Sequence, residues 1–185
     1  MKRFLIGLGA AALLIIISFA AVYNGIVFKA ETITANWAQV ENQLQRRNDL
    51  IPNLVNTVKG YAAHERTVFE EVTNARSAWA KASTVKEKVK AASGIDAALA
   101  RLLLVVENYP NLKADQAFLK LMDELSGTEN RIAVERMRYN QAVRDYNITV
   151  RSFPGNFIAG QFGYRVATEY FKAEEKAKVV PEVKF

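Results

Sequence analysis

The sequence predicts an all-α protein with a single N-terminal transmembrane helix, followed by an antiparallel, up-and-down bundle of about four long helices. Three observations predict this fold. Residues 4–28 form a long run without a charged side chain. Beyond residue 29, apolar residues recur at steps of three and four, which is the spacing of a helix that buries one face. No stretch alternates apolar and polar residues for long enough to predict a β-strand.

Composition and charge exclude several classes of protein. Half of the 185 residues are hydrophobic and 24% are charged, so the chain can form a packed core and disorder is not expected. The absence of cysteine excludes a disulfide, a thiolate nucleophile and a lipoprotein anchor, and the single histidine, His64, excludes a multi-histidine metal site. The net charge of +6 is too small to predict nucleic-acid binding. No catalytic motif is present, and we expect no catalytic residue, cofactor or metal.

Residues 1–28 are predicted to form a membrane anchor. As a helix, the uncharged run measures roughly 37 Å at about 1.5 Å per residue, which exceeds a hydrocarbon core of about 30 Å. Lys2 and Arg3 precede it, and the positive-inside rule then places the N-terminus in the cytoplasm and the rest outside. A cleaved signal peptide, with Ser18 and Ala20 as its small residues, is the alternative. The apolar run continues well past Ala20, so we expect an uncleaved signal anchor.

The predicted bundle occupies residues 29–152, and its first helix carries a heptad seam. Pro52 lies inside this seam, where a proline normally kinks or breaks a helix. The register crosses Pro52 without a shift, which favours a kinked helix, while Asp49 as an N-cap and a break at Gly60 stay open. The seam residues are Ile33, Trp37, Val40, Leu44, Arg47, Ile51, Leu54 and Val58, and the seam continues less cleanly through Glu65 to Trp79.

Turn and cap signals delimit the remaining helices. Thr84 and Glu87 have the spacing of a capping box, which predicts a helix start there and a helix that runs to about residue 107. Residues 108–111 predict a turn, and a last helix runs from about residue 113 to about residue 151. A Pro-Gly pair ends that helix, so residues 153–185 are predicted to form a separate C-terminal tail.

Polar side chains interrupt the apolar seams. Arg47 lies in the seam of the first bundle helix, and four polar residues of the last helix share a face beside its apolar stripe. We interpret them as a network that fixes helix register, with a polar ligand or ion site in the bundle core as the alternative. The candidates for this core or interface are Arg46, Arg47, Asp49, Pro52, Glu129, Arg136, Asn140 and Asn147.

Aromatic residues are concentrated in the tail. Phe153, Phe157 and Phe162 lie among glycines and other small residues, and they complete the set of candidate interface residues. Two interpretations stay open. The rings pack back on the bundle, or they form an exposed apolar patch for a membrane surface, a neighbouring subunit or a partner protein.

Long blocks of the sequence resemble one bacterial family. They are YNGIVFKAET, WAQVENQLQRRNDLIPNLVNTVKGYAAHE, FEEVTNAR, ENYPNLKADQAFLKLMDEL, TENRIAVERMRYNQAVRDYN and PEVKF, which span the chain from Tyr23 onwards. In these blocks the sequence is similar to the LemA family. The resemblance implies a membrane-anchored helical bundle without an established activity, with links to envelope or membrane organisation and, by gene neighbourhood, to membrane proteases such as HtpX. It implies no catalytic residue. Asn48 departs from the family pattern, which often has an aromatic residue there.

The leading functional hypothesis is a non-enzymatic, single-pass protein of the bacterial inner membrane. Its extracytoplasmic, or periplasmic, helical domain then acts as a scaffold that assembles as a homo-oligomer or docks a membrane partner such as an HtpX-like protease. A sensor or carrier that binds a small polar ligand or a lipid within the bundle is the alternative. An enzyme that uses carboxylates alone, such as Glu65 or Glu129, is the least favoured hypothesis, because two carboxylates must converge in a cleft.

Overall fold

A computed structural model describes residues 1–171, and within this range the protein is all-α, as the sequence predicts. No strand occurs among these residues. The helices are α1 (Lys2–Lys59), α2 (Arg66–Lys81), α3 (Val85–Val106), α4 (Pro110–Lys113), α5 (Gln116–Arg151) and α6 (Gly155–Phe162). The last part of the predicted tail, residues 172–185, lies outside the described residues.

Helix α1 contains the predicted anchor and the predicted first helix of the bundle, and it passes through Pro52 without ending. Pro52 cannot donate a backbone hydrogen bond to the preceding turn. Ile51 and Leu54 on either side of it are buried, and their packing holds the helix in place. The helix ends at Lys59, so of the two breaks that the sequence left open, the break at Gly60 is the one observed.

The segment of residues 60–65 connects α1 to α2 by turns. The predicted continuation of the helical seam through Glu65 is therefore wrong, because the chain leaves the helix before α2 begins at Arg66. The connection begins with Gly60, and glycine is less favourable in a helix than alanine by about 1 kcal/mol, which favours the end of α1 at this point.

Capping contacts fix the starts of α3 and α5. Thr84 Oγ1 accepts a hydrogen bond from the Glu87 N–H at 3.2 Å, and the Glu87 carboxylate accepts one from the Thr84 N–H at 3.1 Å, which confirms the predicted capping box. Before α5, Asp115 Oδ1 accepts from the Phe118 N–H at 2.9 Å. Because Asp115 acts as the cap, α5 begins at Gln116 and not near residue 113 as predicted.

The described chain divides into two compact units. The first unit comprises residues 1–38 and 137–170, and the second comprises residues 39–136 together with Phe171. Helices α1 and α5 contribute residues to both units. The domain boundaries predicted after residues 28 and 152 stay predictions.

In the second unit, contacts between helices show the direction of each helix. Glu41 and Arg47 on α1 pair with Lys88 and Asp96 on α3, respectively, so α1 and α3 run in the same direction. Lys88 Nζ also lies 4.7 Å from the centre of the Trp79 ring, across the short connection between α2 and α3. The end of α2 therefore meets the start of α3, and α2 runs antiparallel to both α1 and α3.

Helix α5 also runs antiparallel to α1 in this unit. Arg47 contacts Glu129, whereas Tyr61, just beyond the end of α1, donates a hydrogen bond to Asp115 Oδ2 at 2.8 Å. Residues nearer the end of α1 thus contact residues nearer the start of α5. The four long helices of this unit form the predicted up-and-down arrangement. Their buried core includes Leu54, Val58, Phe69, Val72, Leu99, Leu102, Leu125 and Ile132.

In the first unit, α5 runs antiparallel to α1, and α6 packs on them. Lys29 Nζ on α1 lies 2.7 Å from Thr149 Oγ1 on α5, and the ring of Trp37 lies 5.8 Å from that of Tyr139. A Cβ atom at Gly155 would lie 2.1 Å from the Thr149 carbonyl oxygen, so only glycine allows α6 to begin this close to α5. The buried cluster of this unit consists of Ile26, Tyr146, Val150, Ile158 and Ala159.

Candidate functional site

A cluster of three charged side chains joins α1, α3 and α5 in the second unit. Arg47 Nη1 lies 2.5 Å from Asp96 Oδ1 and 2.7 Å from Glu129 Oε2. The side chain of Arg47 is 12% exposed, that of Asp96 is 29% exposed and that of Glu129 is 49% exposed. The guanidinium is therefore largely removed from water, while one of its carboxylate partners stays half hydrated. One cation between two carboxylates connects three helices, and we call these residues the Arg47 cluster.

The Arg47 cluster follows from helix periodicity. Arg47 occupies a seam position between buried Leu44 and Ile51, so its side chain must enter the bundle. Sequence reasoning identified Arg47 and Glu129 but missed Asp96. The signal that could have found it is a lone carboxylate directly after an apolar seam residue in the stretch GIDAALA.

An open groove of about 180 Å³ is lined in part by the Arg47 cluster. Small-molecule pockets commonly measure about 300–1,000 Å³, so this groove has room only for a small ligand. Arg47 Nε is buried and has no hydrogen-bond partner among residues 1–171. The groove is lined by Arg47, Leu54, Leu99, Leu103, Met122, Leu125, Ser126 and Glu129.

The other sequence candidates near Arg47 lie on α1 but do not join the cluster. Arg46 is exposed, and Asp49, also exposed, accepts a hydrogen bond from Gln45 Nε2 at 2.7 Å. Pro52 is half-buried, one turn further along the same helix. Only Arg47 of the Arg-Arg pair faces the bundle, because adjacent residues on a helix point about 100° apart.

The polar residues predicted on one face of α5 divide between the two units. In the second unit, Arg136 Cζ lies 5.1 Å from the centre of the Phe171 ring, in addition to the contacts of Glu129. In the first unit, Asn140 is half-buried and Asn147 is buried. Their predicted role in a core or interface network stays a prediction.

Asn147 binds the backbone of the segment that follows α6. Its Nδ2 donates to the Ala167 carbonyl at 2.7 Å and to the Tyr170 hydroxyl at 2.9 Å, while its Oδ1 accepts from the Ala167 N–H at 2.8 Å. Tyr146 adds a hydrogen bond from its hydroxyl to the Arg165 carbonyl at 2.9 Å. These contacts hold the segment along α5. No sequence pattern indicated that Asn147 would bind the backbone of Ala167.

An exposed apolar surface lies at the junction of α5 and α6. Phe153 is 87% exposed, Phe157 is 70% exposed and Phe162 is 51% exposed. The neighbouring Ile158 is buried. Ile158 of α6 thus packs inward, whereas most of the surface of Phe153 and Phe157 is exposed, and the two interpretations of the tail stay predictions.

Metal-binding groups are absent from the part of the chain that the structure describes. Residues 1–171 contain no group of three or more His, Asp or Glu side chains that could hold a metal ion. His64 lies exposed in the connection between α1 and α2.

Among the described residues, α1 is the helix that is long and apolar enough to cross a membrane. Its most apolar window of 18 residues has a mean hydropathy of 2.6, and none of that window is buried. The exposed side chains include Phe4, Leu5, Ile6, Leu13, Leu14, Ile15 and Ile16.

Comparison with known proteins gives a consistent set of relatives. A sequence model of the LemA family matches residues 36–185. Magnetosome protein MamQ 2 of Paramagnetospirillum magneticum is 30% identical, with the match covering 81% of this chain and 64% of the relative. Protein LemA of Metamycoplasma hominis is 28% identical, covering 73% of this chain and 62% of the relative. The chain thus spans just under two thirds of the length of these curated relatives.

Proposed function

Because the chain belongs to the LemA family, we propose that it is a non-enzymatic, single-pass membrane protein whose helical domain acts as a scaffold or interaction module. The observation that carries this proposal is α1 itself. One uninterrupted helix contains both the uncharged run and the Arg47 seam position of the bundle. The same helix thus contributes the apolar segment proposed for the membrane and a core position of the bundle.

The charged groups of the bundle support a structural role over a catalytic one. Asp96 and Glu129 both contact the Arg47 guanidinium, and Glu41 contacts Lys88. Each of these carboxylates contacts a cation on another helix, so its charge serves to connect helices of the bundle. Curated relatives are named as magnetosome proteins, and this association supports the role in envelope or membrane organisation that we propose for this protein.

The partner proposed is a second copy of the chain or a membrane protein, for which an HtpX-like protease is one candidate. Photo-cross-linking in native membranes tests this. A benzophenone amino acid at Leu104, a large exposed side chain on α3, is expected to give a reproducible product identified by mass spectrometry. The matched control is the same amino acid at Lys86, exposed at the start of the same helix. A purely monomeric pattern from both positions contradicts the scaffold proposal.

The proposed location is the bacterial inner membrane, with the N-terminus in the cytoplasm and the helical domain outside it. Lys2 and Arg3 before the uncharged run support this orientation. A protease added to intact spheroplasts is expected to cleave the helical domain. Protection of that domain in intact spheroplasts, together with cleavage after lysis, contradicts the proposed orientation.

A sensor or carrier of a small polar ligand is the second candidate function. The groove beside the Arg47 cluster favours it, because it combines apolar walls with a guanidinium that retains an unused donor. The ligand class is a small anion with an apolar body, such as a short-chain carboxylate. Acetate or butyrate is then expected to raise the melting temperature of the purified protein, and less so for Arg47→Met. Equal shifts in both proteins contradict this candidate.

A further inference from the structure

The aromatic corner, which we define as residues 152–164 between the end of α5 and the end of α6, packs beside the uncharged run of α1. The ring of Phe162 lies 6.1 Å from that of Phe19 and 4.8 Å from that of Tyr23. Both contacts fall within residues 4–28, the segment that the proposed function places in the membrane. The corner therefore lies beside the uncharged run, and its last residue, Tyr164, lies near Glu31 just beyond that run.

An apolar groove shows how far the corner reaches along the anchor. The groove measures about 390 Å³. From Leu14 to Ile26, which packs with Ile158 and Ala159 of the corner, the helix rises roughly 18 Å at about 1.5 Å per residue. The corner thus lies beside about half of the length of the uncharged run. The groove is lined by Leu14, Ile15, Ser18, Phe19, Phe153, Pro154, Phe157 and Ile158.

The composition of the corner matches a lipid environment. Residues 152–164 contain no charged side chain, whereas Arg151 and Arg165 flank them directly. Arginines at the ends of an apolar segment can extend to lipid headgroups while their stems stay in the apolar layer. Phe153 and Phe157, the most exposed rings of the corner, line the open groove beside Phe19, and most of the surface of each ring stays uncovered by the described residues.

The backbone of the corner also suits a medium that lacks water. The N–H groups of Asn156 and Tyr164 donate to the carbonyls of Ser152 and Ala159 at 2.8 Å and 2.9 Å. The N–H of Gly163 donates to the same Ala159 carbonyl. Polar backbone groups that enter a bilayer must find such internal partners, because hydrocarbon offers none.

We infer that the aromatic corner is a second membrane contact of this protein, in which Phe153 and Phe157 insert into the same leaflet as the C-terminal half of the anchor. The inference rests on the proposed single-span anchor, because the corner lies in lipid only if the uncharged run beside it does. A lipid surface fits the corner better than a second copy of the chain. Three phenylalanine rings offer at most about 450–750 Å² together, below the roughly 800 Å² per partner of a stable protein interface.

Site-directed spin labelling tests this inference directly, because the chain contains no cysteine to remove. The full-length protein carries a nitroxide at Phe157→Cys and is reconstituted into phosphatidylethanolamine and phosphatidylglycerol vesicles. Accessibility to oxygen, which concentrates in lipid, is compared with accessibility to a water-soluble nickel chelate. We expect the Phe157 label to favour oxygen, and a label at Phe153→Cys provides an independent second position on the corner.

Two reference positions in the same unit make the outcome unambiguous. Ile15→Cys reports the anchor, and Met137→Cys reports α5 well away from the corner. Met137 is 65% exposed, close to the 70% of Phe157, and lies in a groove with polar Thr32 and Asn36. The nickel chelate is expected to reach the Met137 label more readily than oxygen does, which reverses the ratio measured at Phe157.

The results separate the inference from the proposal on which it rests. Labels at Ile15 in lipid and at both corner positions in water overturn the membrane contact but leave the anchor intact. Labels in water at Ile15 as well overturn the anchor. Labels at Phe153 and Phe157 that are shielded from both reagents and broadened by spin–spin coupling show a second copy on this surface, and they overturn the inference too.

Discussion

The two units of this protein share α1 and α5 but connect these helices by different chemistry. In the second unit, Arg47 of α1 contacts Asp96 and Glu129, so charged side chains connect neighbouring helices. In the first unit, the ring of Trp37 packs against that of Tyr139, and the contact partners of Lys29 on α5 are neutral oxygen atoms. The contact described between α1 and α5 in the second unit is thus an ion pair, whereas those described in the first unit are a ring contact and hydrogen bonds to neutral oxygen atoms.

The environment of each unit explains this difference. Glu129 is half hydrated, and water at the edge of the Arg47 cluster reduces the cost of bringing three charges together. The first unit contains the uncharged run and the aromatic corner, which we propose to lie in lipid, and there a charge would lose its hydration without compensation. Amide and hydroxyl contacts such as those of Asn147 give specificity there without a net charge.

The largest expected effect comes from Arg47→Ala. Removing the cation leaves Asp96 and Glu129 facing each other without their partner. We expect a loss of about 2 kcal/mol in the free energy of unfolding, between the values for buried and exposed ion pairs because Glu129 is half exposed. Denaturant unfolding of the detergent-solubilised full-length protein measures the loss, and hydrogen exchange should increase in α3.

Arg46→Ala is the matched control, because Arg46 is the exposed neighbour of Arg47 on the same helix. Its effect should stay within about 0.5 kcal/mol, as for most surface substitutions. Equal losses of unfolding free energy in the two variants would show that the contacts of Arg47 do not stabilise the second unit. The contrast drawn between the two units would then be wrong.

An effect of similar size, confined to the first unit, is expected from Gly155→Ala. The added Cβ meets the Thr149 carbonyl oxygen at 2.1 Å, so α6 must move away from α5. Overpacking of this kind typically costs about 1–3 kcal/mol. Faster hydrogen exchange in α6 and in the segment held by Asn147, with α3 unchanged, is the expected signature.

Gly160→Ala controls for the loss of a glycine in the same helix, because no atom lies within 4 Å of its added Cβ. Its effect should be neutral or stabilising by up to about 1 kcal/mol, owing to the better helix propensity of alanine. If Gly155→Ala behaves like Gly160→Ala, the close approach of α5 and α6 does not contribute to the stability of this unit.

The smallest effect is a pH dependence at the start of α3. Hydrogen bonds from the backbone N–H groups of Ser83 and Thr84 to the Glu87 carboxylate hold the pKa of Glu87 below its ordinary value of 4.5. The stabilisation by a lowered carboxyl pKa is fully present above the ordinary value and is lost as the pH falls through the lowered one. Acid should therefore weaken this cap.

Glu87→Gln isolates this contribution, because glutamine keeps the shape of the side chain but does not titrate. The melting temperature of the wild type should exceed that of Glu87→Gln at about pH 6, and the difference should shrink towards about pH 3. A difference that stays constant over this range contradicts the assignment of the acid sensitivity to Glu87.

Much of the fold could be predicted because its signals are local. The capping box needs only Thr84 and Glu87, three residues apart, and the structure contains it. The passage of α1 through Pro52 could be favoured but not decided, since the packing of Ile51 and Leu54 against other helices determines whether a proline is tolerated. The seam spacing continues through Glu65 although the helix does not, because a heptad spacing of apolar residues can persist across a short turn.

The candidate site was less predictable, because its contacts join residues that are distant in sequence. Arg47 and Glu129 could be chosen as seam residues, but their common partner Asp96 depends on α1 and α3 lying parallel and side by side. The backbone partner of Asn147 at Ala167 depends on the course of an irregular segment that has no periodicity. Arg46 and Asp49 were grouped with Arg47 by proximity along the chain, whereas the helix turns them to other faces.

By itself, the sequence determined the helical class, the uncharged run long enough to span a bilayer and the cap of α3. Each depends on the period, charge or spacing of residues close together in the chain, where backbone geometry alone relates pattern to structure. Only the tertiary structure decided that Arg47 binds two carboxylates and that Phe153 and Phe157 lie exposed beside the uncharged run. Both depend on which helix surfaces meet, and that follows from the packing of the whole chain.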